Sequence, residues 1–373
     1  MSRHAIPMGR ILGIPIALDA SWFLVFALFT WVLATSYFPA EFPGWPAPHY
    51  WTVAAATALL LYACVLLHEL GHSVVALHFR TRVERIVLFV FGGVALLAGE
   101  PPSARAEFWI AIAGPAVSLA LAGLFYLLDP FVAGTAQLVA PVKYLAMINA
   151  SLALFNLIPG FPLDGGRIFR AIVWAVKKDF RRATMTAAHV GRFVAFLFIA
   201  GGVVQILAGN LGGGLWIAAI GWFLDAAAVM QIHHVVIRGL LAGHAVAAAM
   251  NRNYGFIPGD TMLQDLIDDH VLGGGRRSFI VKSSDEIIGL LTLHQMRSVP
   301  RSEWPHTTAA AVMIPLAEVK RVRPDTEIQA ALEMMDRSGV NQLPVMEDGR
   351  LLGMLSRDDV ISFLRQLAAR NNS

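Results

Sequence analysis

The chain has 373 residues, of which 56% are hydrophobic and 15% charged, with a formal net charge of +3; soluble domains carry about 25% charged residues. This excludes a wholly soluble globular protein, and the small positive excess, set beside apolar runs, gives no nucleic-acid footprint. The single cysteine, Cys64, excludes an intrachain disulfide and the cysteine-rich zinc patterns.

Charge is unevenly spread. Residues before about 240 are apolar with short polar breaks, and those after about 245 read as soluble sequence. The expected division is a membrane domain over 1–240 and a soluble domain over 241–373. Met1 to Leu12 carries Arg3 and Arg10 and is polar enough to lie at a surface. No signal-peptide cleavage pattern follows, so the first apolar stretch is expected to remain as a span. Runs long enough to cross a bilayer fall at about 16–38, 51–79, 106–128, 138–159, 190–208 and 213–234. Arginine and lysine alternate between the loops. Arg80, Arg82, Arg85 and Arg105 follow the second span, and Arg167, Arg170, Lys177, Lys178, Arg181 and Arg182 follow the fourth. The loops at Pro39–Tyr50, Asp129–Pro141 and Gly209–Gly214 have none. The positive-inside rule then predicts a multi-pass protein of the cell (inner) membrane with both termini cytoplasmic.

The second span contains His68-Glu69-Leu70-Gly71-His72. On a helix the two histidines stand one turn apart on nearly one face, the spacing by which two imidazoles share a zinc ion, with Glu69 beside it as general base. Two His and one Glu in lipid-facing sequence are costly unless they hold something. His68 lies roughly 25 Å along the axis from Trp51, which sets the pair toward the cytoplasmic side. Between the second and third spans, Val87 to Ala98 is apolar but too short to cross, and Gly92-Gly93 breaks it. A re-entrant β-hairpin is expected there, with a strand edge able to pair with an extended peptide; a loop packed at the interface is the alternative.

A catalytic zinc site needs a third protein ligand. His78 stands ten residues after His68, but on an unbroken helix it is about 15 Å up the axis and roughly 80° round, too far to share the ion. It is read as an interfacial histidine. Asp164 is the better candidate: Pro159, Pro162 and the flanking glycines break the chain there, at a comparable depth. The alternative is a salt bridge with Arg167. Asn156 has two readings, a hydrogen-bond donor to a substrate carbonyl or a tie between helices.

HELGH in one span, Gly114-Pro115 in the next and Asn-x-x-Pro-x-x-Pro-Leu-Asp-Gly-Gly-Arg from Asn156 to Arg167 together resemble the site-2 protease family of intramembrane zinc metalloproteases. The resemblance covers about residues 1–235. It implies six transmembrane helices, zinc on His68, His72 and Asp164, Glu69 as catalytic acid/base, and a single-span membrane protein as substrate, with Asn156 helping to hold it. Gly92 and Gly93 are the expected substrate edge. The rival from another class is a regulated channel or transporter whose buried His, Glu and Asp line an ion path.

The tail repeats. Ser278–Val281 precedes Gly289–Thr292 by the spacing at which Gln342–Val345 precedes Gly353–Ser356, with turns at Ser284-Asp285-Glu286 and Glu347-Asp348-Gly349. This resembles a tandem pair of cystathionine-β-synthase (CBS) domains, an α/β module, at about 246–300 and 309–366. Such pairs commonly bind adenine nucleotides such as ATP. The resemblance implies Ser356 near a phosphate and Asp359 on the ribose, with Thr292 and Gln295 at the matching places of the first unit. Gln295 removes the carboxylate from that second ribose contact. A dimerisation module without ligand, giving a homo-oligomer, is the alternative.

Overall fold

Leu12 and Gly13 both take positive φ, 52° and 80°, and this two-residue turn folds the start of the chain into a hairpin. β1 (Ile6–Ile11) pairs antiparallel with β2 (Ile14–Leu18). The expected first span is therefore corrected: Ile14, Ile16, Ala17 and Leu18 are buried in a sheet, and the helix starts at Ser21. The cause is local. Pro15 has no N–H for a helix, and β-branched Ile14 and Ile16 flank it. The computed structural model describes residues 6–90, 92–97, 99–266, 278–284 and 286–371, and contacts divide the chain into Met1–Val235 and Val236–Ser373.

Six helices in the described residues are long and apolar enough to cross a membrane. They are α1 (Ser21–Glu41), α2 (Ala47–His78), α3 (Ala104–Val132), α4 (Ala136–Asn156), α6 (Phe180–Leu207) and α7 (Leu211–Leu241). The short amphipathic α5 (Asp164–Lys177) lies between α4 and α6. α6 starts ten residues before its expected span because Asp179 caps it, accepting from the Arg182 N–H at 2.9 Å. α2 buries a narrow stripe that includes Ala54, Ala58, Leu61, His68 and His72, while Leu59, Leu60 and Val74 face outward. Small residues let its neighbours approach. At Gly71 an added Cβ would lie 2.8 Å from Val117 Cγ2 and 3.1 Å from the Ala113 carbonyl oxygen, so the crossing of α2 and α3 is set inside the HELGH stretch.

β2 runs parallel to β3 (Val83–Phe89), which turns into antiparallel β4 (Gly92–Leu97). The sheet order is β1-β2-β3-β4, so β4 is an edge. β3 and β4 form an antiparallel pair over this stretch, beginning four residues earlier than Val87; Phe91 and Ala98 lie outside the described residues. Ile14, Leu70 and Ile86 pack together and join the sheet to α2.

The second unit is built twice. β5 (Ser278–Ser283) and β6 (Glu286–Thr292) form one hairpin, β8 (Gln342–Glu347) and β9 (Arg350–Ser356) another. In the latter, Asp348 and Gly349 take φ of 48° and 78°; in the former Ser284 takes 54° and Asp285 lies outside the described residues. Each hairpin is crossed by the segment that leads into the other half. β7 (Ile314–Pro315) pairs with Gly289 and Leu290, and Asn251 bridges to Met354. The cores are exchanged likewise. Leu241 and Val246 pack with Val345 and Leu355, whereas Ala309 packs with Phe279 and Leu291.

Candidate metal centre

α2 presents His68 and His72 from one face, and both imidazoles are buried. α5 begins at Asp164 after the turn that ends α4. The turn closes backbone on backbone: a Cβ on Gly165 would strike the Leu157 and Ile158 carbonyls, and one on Gly191 would lie 2.8 Å from the Phe161 nitrogen. The fold thereby brings Asp164 Oδ2 to 3.3 Å from His68 Nε2 and 3.1 Å from His72 Nε2, and the two Nε2 atoms are 3.2 Å apart.

The donor set fits a metal ion. A tetrahedral zinc with bonds of about 2.0 Å holds its ligand atoms about 3.3 Å apart, close to each side of this triangle. The outer ring nitrogens are engaged. His72 Nδ1–H donates to the Ile110 carbonyl at 2.6 Å, and His68 Nδ1 lies 2.9 Å from Ser118 Oγ. A neutral His72 donating from Nδ1 carries a lone pair on Nε2, aimed at another imidazole nitrogen and a carboxylate. Such a convergence is stable around a cation. Gly114 completes the cradle, because a Cβ there would strike His72 Nε2 and lie 2.6 Å from His68 Nε2.

Glu69 lies against β4. Its Oε2 accepts from the Ala95 N–H at 3.1 Å, and a Cβ on Gly93 would stand 2.5 Å from Glu69 Cγ. Gly92 takes φ 116° and is near Val65. Asn156 is the half-buried last residue of α4. His78 is the exposed last residue of α2, with its ring against Phe79.

In the second unit Ser356 and Asp359 bond each other reciprocally: Ser356 N–H to Asp359 Oδ2 at 2.8 Å, and Asp359 N–H to Ser356 Oγ at 3.1 Å. That is a capping box at the start of the helix Arg357–Asn371. Thr292 Oγ1–H donates to Gln295 Oε1 at the start of the helix Leu293–Ser298, with no side-chain cap on the backbone there.

Sequence reasoning missed the backing of the site. Ser118 and the Ile110 carbonyl lie on α3, as does Glu107, fully buried and paired with Arg170 of α5. Arg170, expected among loop cations, is 6% exposed. The available signal was Glu107 itself, an acid in an apolar stretch.

A glutamate carboxylate beside three converging donor atoms, carried among long apolar helices, fits one class: the membrane-embedded metallopeptidases. The family model "Peptidase family M50" matches residues 56–135 and 131–200, and the CBS domain model matches 309–366. "Putative zinc metalloprotease Rip3" of Mycobacterium tuberculosis is 40% identical over 363 residues, covering 96% of this chain and 92% of that protein. A Synechocystis protein described in the same terms, sll0528, is 34% identical over 98% of this chain and 96% of its own length. Among solved structures, "Site-2 Protease from Methanocaldococcus jannaschii" is 29% identical over 61% of this chain and 95% of that one, with a TM-score of 0.43. The chain belongs to the M50 (site-2 protease) family of zinc metalloproteases.

Proposed function

We propose that the protein is a zinc-dependent intramembrane endopeptidase that cleaves a membrane-spanning segment of a membrane-anchored protein. Residues 1–240 carry catalysis in this reading. Residues 241–373 form a cytoplasmic tandem CBS pair, about 246–300 and 309–366, that modulates it by binding an adenine nucleotide. Both termini face the cytoplasm of the inner membrane, as the alternation of basic loops favours. The observation that carries the reading is the triangle of His68 Nε2, His72 Nε2 and Asp164 Oδ2 beside Glu69.

His68, His72 and Asp164 would hold the ion. Bound there, zinc would supply Lewis acidity, which lowers the pKa of water toward about 7 and polarises a carbonyl. Glu69 is the proton carrier. Its Oε2 accepts from the Ala95 N–H, so Oε1 takes the proton of the attacking water. Glu69 then returns that proton to the amide nitrogen as the C–N bond breaks. A helical substrate hides its carbonyls in i to i−4 bonds and must be extended before attack. The edge of β4 offers the template. Gly93 presents its backbone groups on the same edge as Ala95, two residues on, which puts a paired peptide strand beside Glu69. Gly92 relaxes the chain at the start of that edge, and Asn156 is assigned a hydrogen bond to a substrate carbonyl.

The test is Glu69→Gln in proteoliposomes containing a single-span substrate. The wild type is expected to hold one zinc per chain and cleave. The variant is expected to keep the metal and lose about 10²–10⁴-fold in rate. Wild-type protein that purifies without transition metal, or ion transport that survives the substitution with no cleavage by either form, would overturn the assignment.

A further inference from the structure

α3 backs the two histidines directly, through Ser118 Oγ and the Ile110 carbonyl. Its tie to the third side of the triangle runs through α5. One turn before Ile110, fully buried Glu107 takes Arg170 on its Oε1: Nε donates at 2.7 Å, and Nη2 donates to the same oxygen. Arg170 lies on the helix that begins with Asp164. Its guanidinium also covers Phe161, 5.0 Å from the ring centre, and Phe180 at 4.7 Å. Phe161 belongs to the turn leading into Asp164, and Phe180 opens α6. One side chain thus joins α3, α5, α6 and the turn that delivers the carboxylate. That turn is tightly closed, because a Cβ on Gly166 would strike the Gly160 and Phe161 backbone. Any rotation of α5 would carry Asp164 with it.

We propose that Glu107 and Arg170 are positioning residues for the third metal ligand: the buried pair locks α5 against α3 and so fixes Asp164 Oδ2 relative to His68 and His72. The proposal rests on the reading of those three residues as metal ligands. A buried ion pair is weak evidence for stability, and in some proteins it serves instead to fix one arrangement. Outer partners that hold a ligand commonly change metal affinity by about 10–100-fold when removed. Neither residue touches the ion or the substrate in this scheme; both act through Asp164.

The experiment uses the full chain in detergent micelles. Zinc affinity is read by chelator competition, and ligand geometry by the visible spectrum of the cobalt-substituted protein. Arg170→Met is expected to weaken zinc about 10–100-fold and to change the cobalt bands. Arg170→Lys should recover part of both. In an Asp164→Asn background, Arg170→Met should add less than about twofold, because the ligand through which it acts is already lost. Wild-type affinity and spectrum in a well-folded Arg170→Met protein would overturn the proposal, as would an equal loss on top of Asp164→Asn. If Arg170→Met does not fold, Glu107→Gln is read by the same measurements, with a tenfold loss expected and no change refuting it. If neither variant folds, the pair is a folding element and the proposal falls. Wild-type protein that takes up no metal overturns the ligand reading and this proposal together, whereas metal-binding wild type with matching variants overturns this one alone.

Discussion

At Gly114 an alanine methyl would reach into the gap between the two imidazoles. Glycine is needed there for space, since its backbone lies in a helix. Gly114→Ala is expected to displace one ring and lower metal content to a few per cent of wild type, while overpacking costs about 1–3 kcal/mol in the metal-free protein. Metal analysis together with thermal melting checks both. The spacing of His68, Glu69 and His72 was legible because a helix's period turns sequence distance into geometry. Asp164 was legible as a carboxylate at a proline-glycine break. Their support was not. The Ile110 carbonyl is backbone and has no sequence signature, and Ser118 is one hydroxyl among several in apolar runs.

The edge strand carries the next expectation. Gly93 has no positive φ, so alanine would fit the strand, but its methyl would meet Glu69 Cγ at 2.5 Å. Gly93→Ala should therefore move the carboxylate and lower kcat about 10–100-fold while zinc content stays at one per chain. Loss of zinc with kcat per bound metal unchanged would separate Glu69 from this strand and refute the packing argument. At this scale the long helices were readable from apolar length. The N-terminal hairpin was not, because its partner β3 lies some seventy residues on, and β1 is exposed along its whole length. Ile14 to Leu18 is apolar enough to extend a span by hydropathy, and the pairing of Ile16 with Ile86 decides otherwise.

For the molecule as a whole, the alternation of basic loops makes a topological statement that labelling can check. In a Cys64→Ala background, a cysteine replacing Thr135 should react with a membrane-impermeant maleimide in intact cells, and one replacing Lys178 only after lysis. Reversed labelling would put the metal site near the opposite face and remove the argument for its depth. The repeat in the tail was readable because the two hairpins share a spacing. The exchange of segments between its halves was hidden, since Ala309 and Val246 lie far in sequence from the cores they complete.

The tail's own chemistry is separable by energy. Ser356 and Asp359 already satisfy each other at the start of the helix Arg357–Asn371. A cap of this kind contributes about 1 kcal/mol, so Ser356→Ala should lower the stability of the second unit by that much whether or not a nucleotide binds. Nucleotide binding adds a different quantity, about 2.7 kcal/mol at a hundredfold excess over Kd. The full chain is therefore expected to melt several degrees higher with saturating ATP or AMP. Ser356→Ala should show the small loss in the absence of nucleotide together with a much reduced ligand shift. A melting temperature indifferent to either nucleotide at millimolar concentration, with the capping loss still present, would leave Ser356 and Asp359 as a helix cap in a dimerisation module and remove the nucleotide from the proposed regulation.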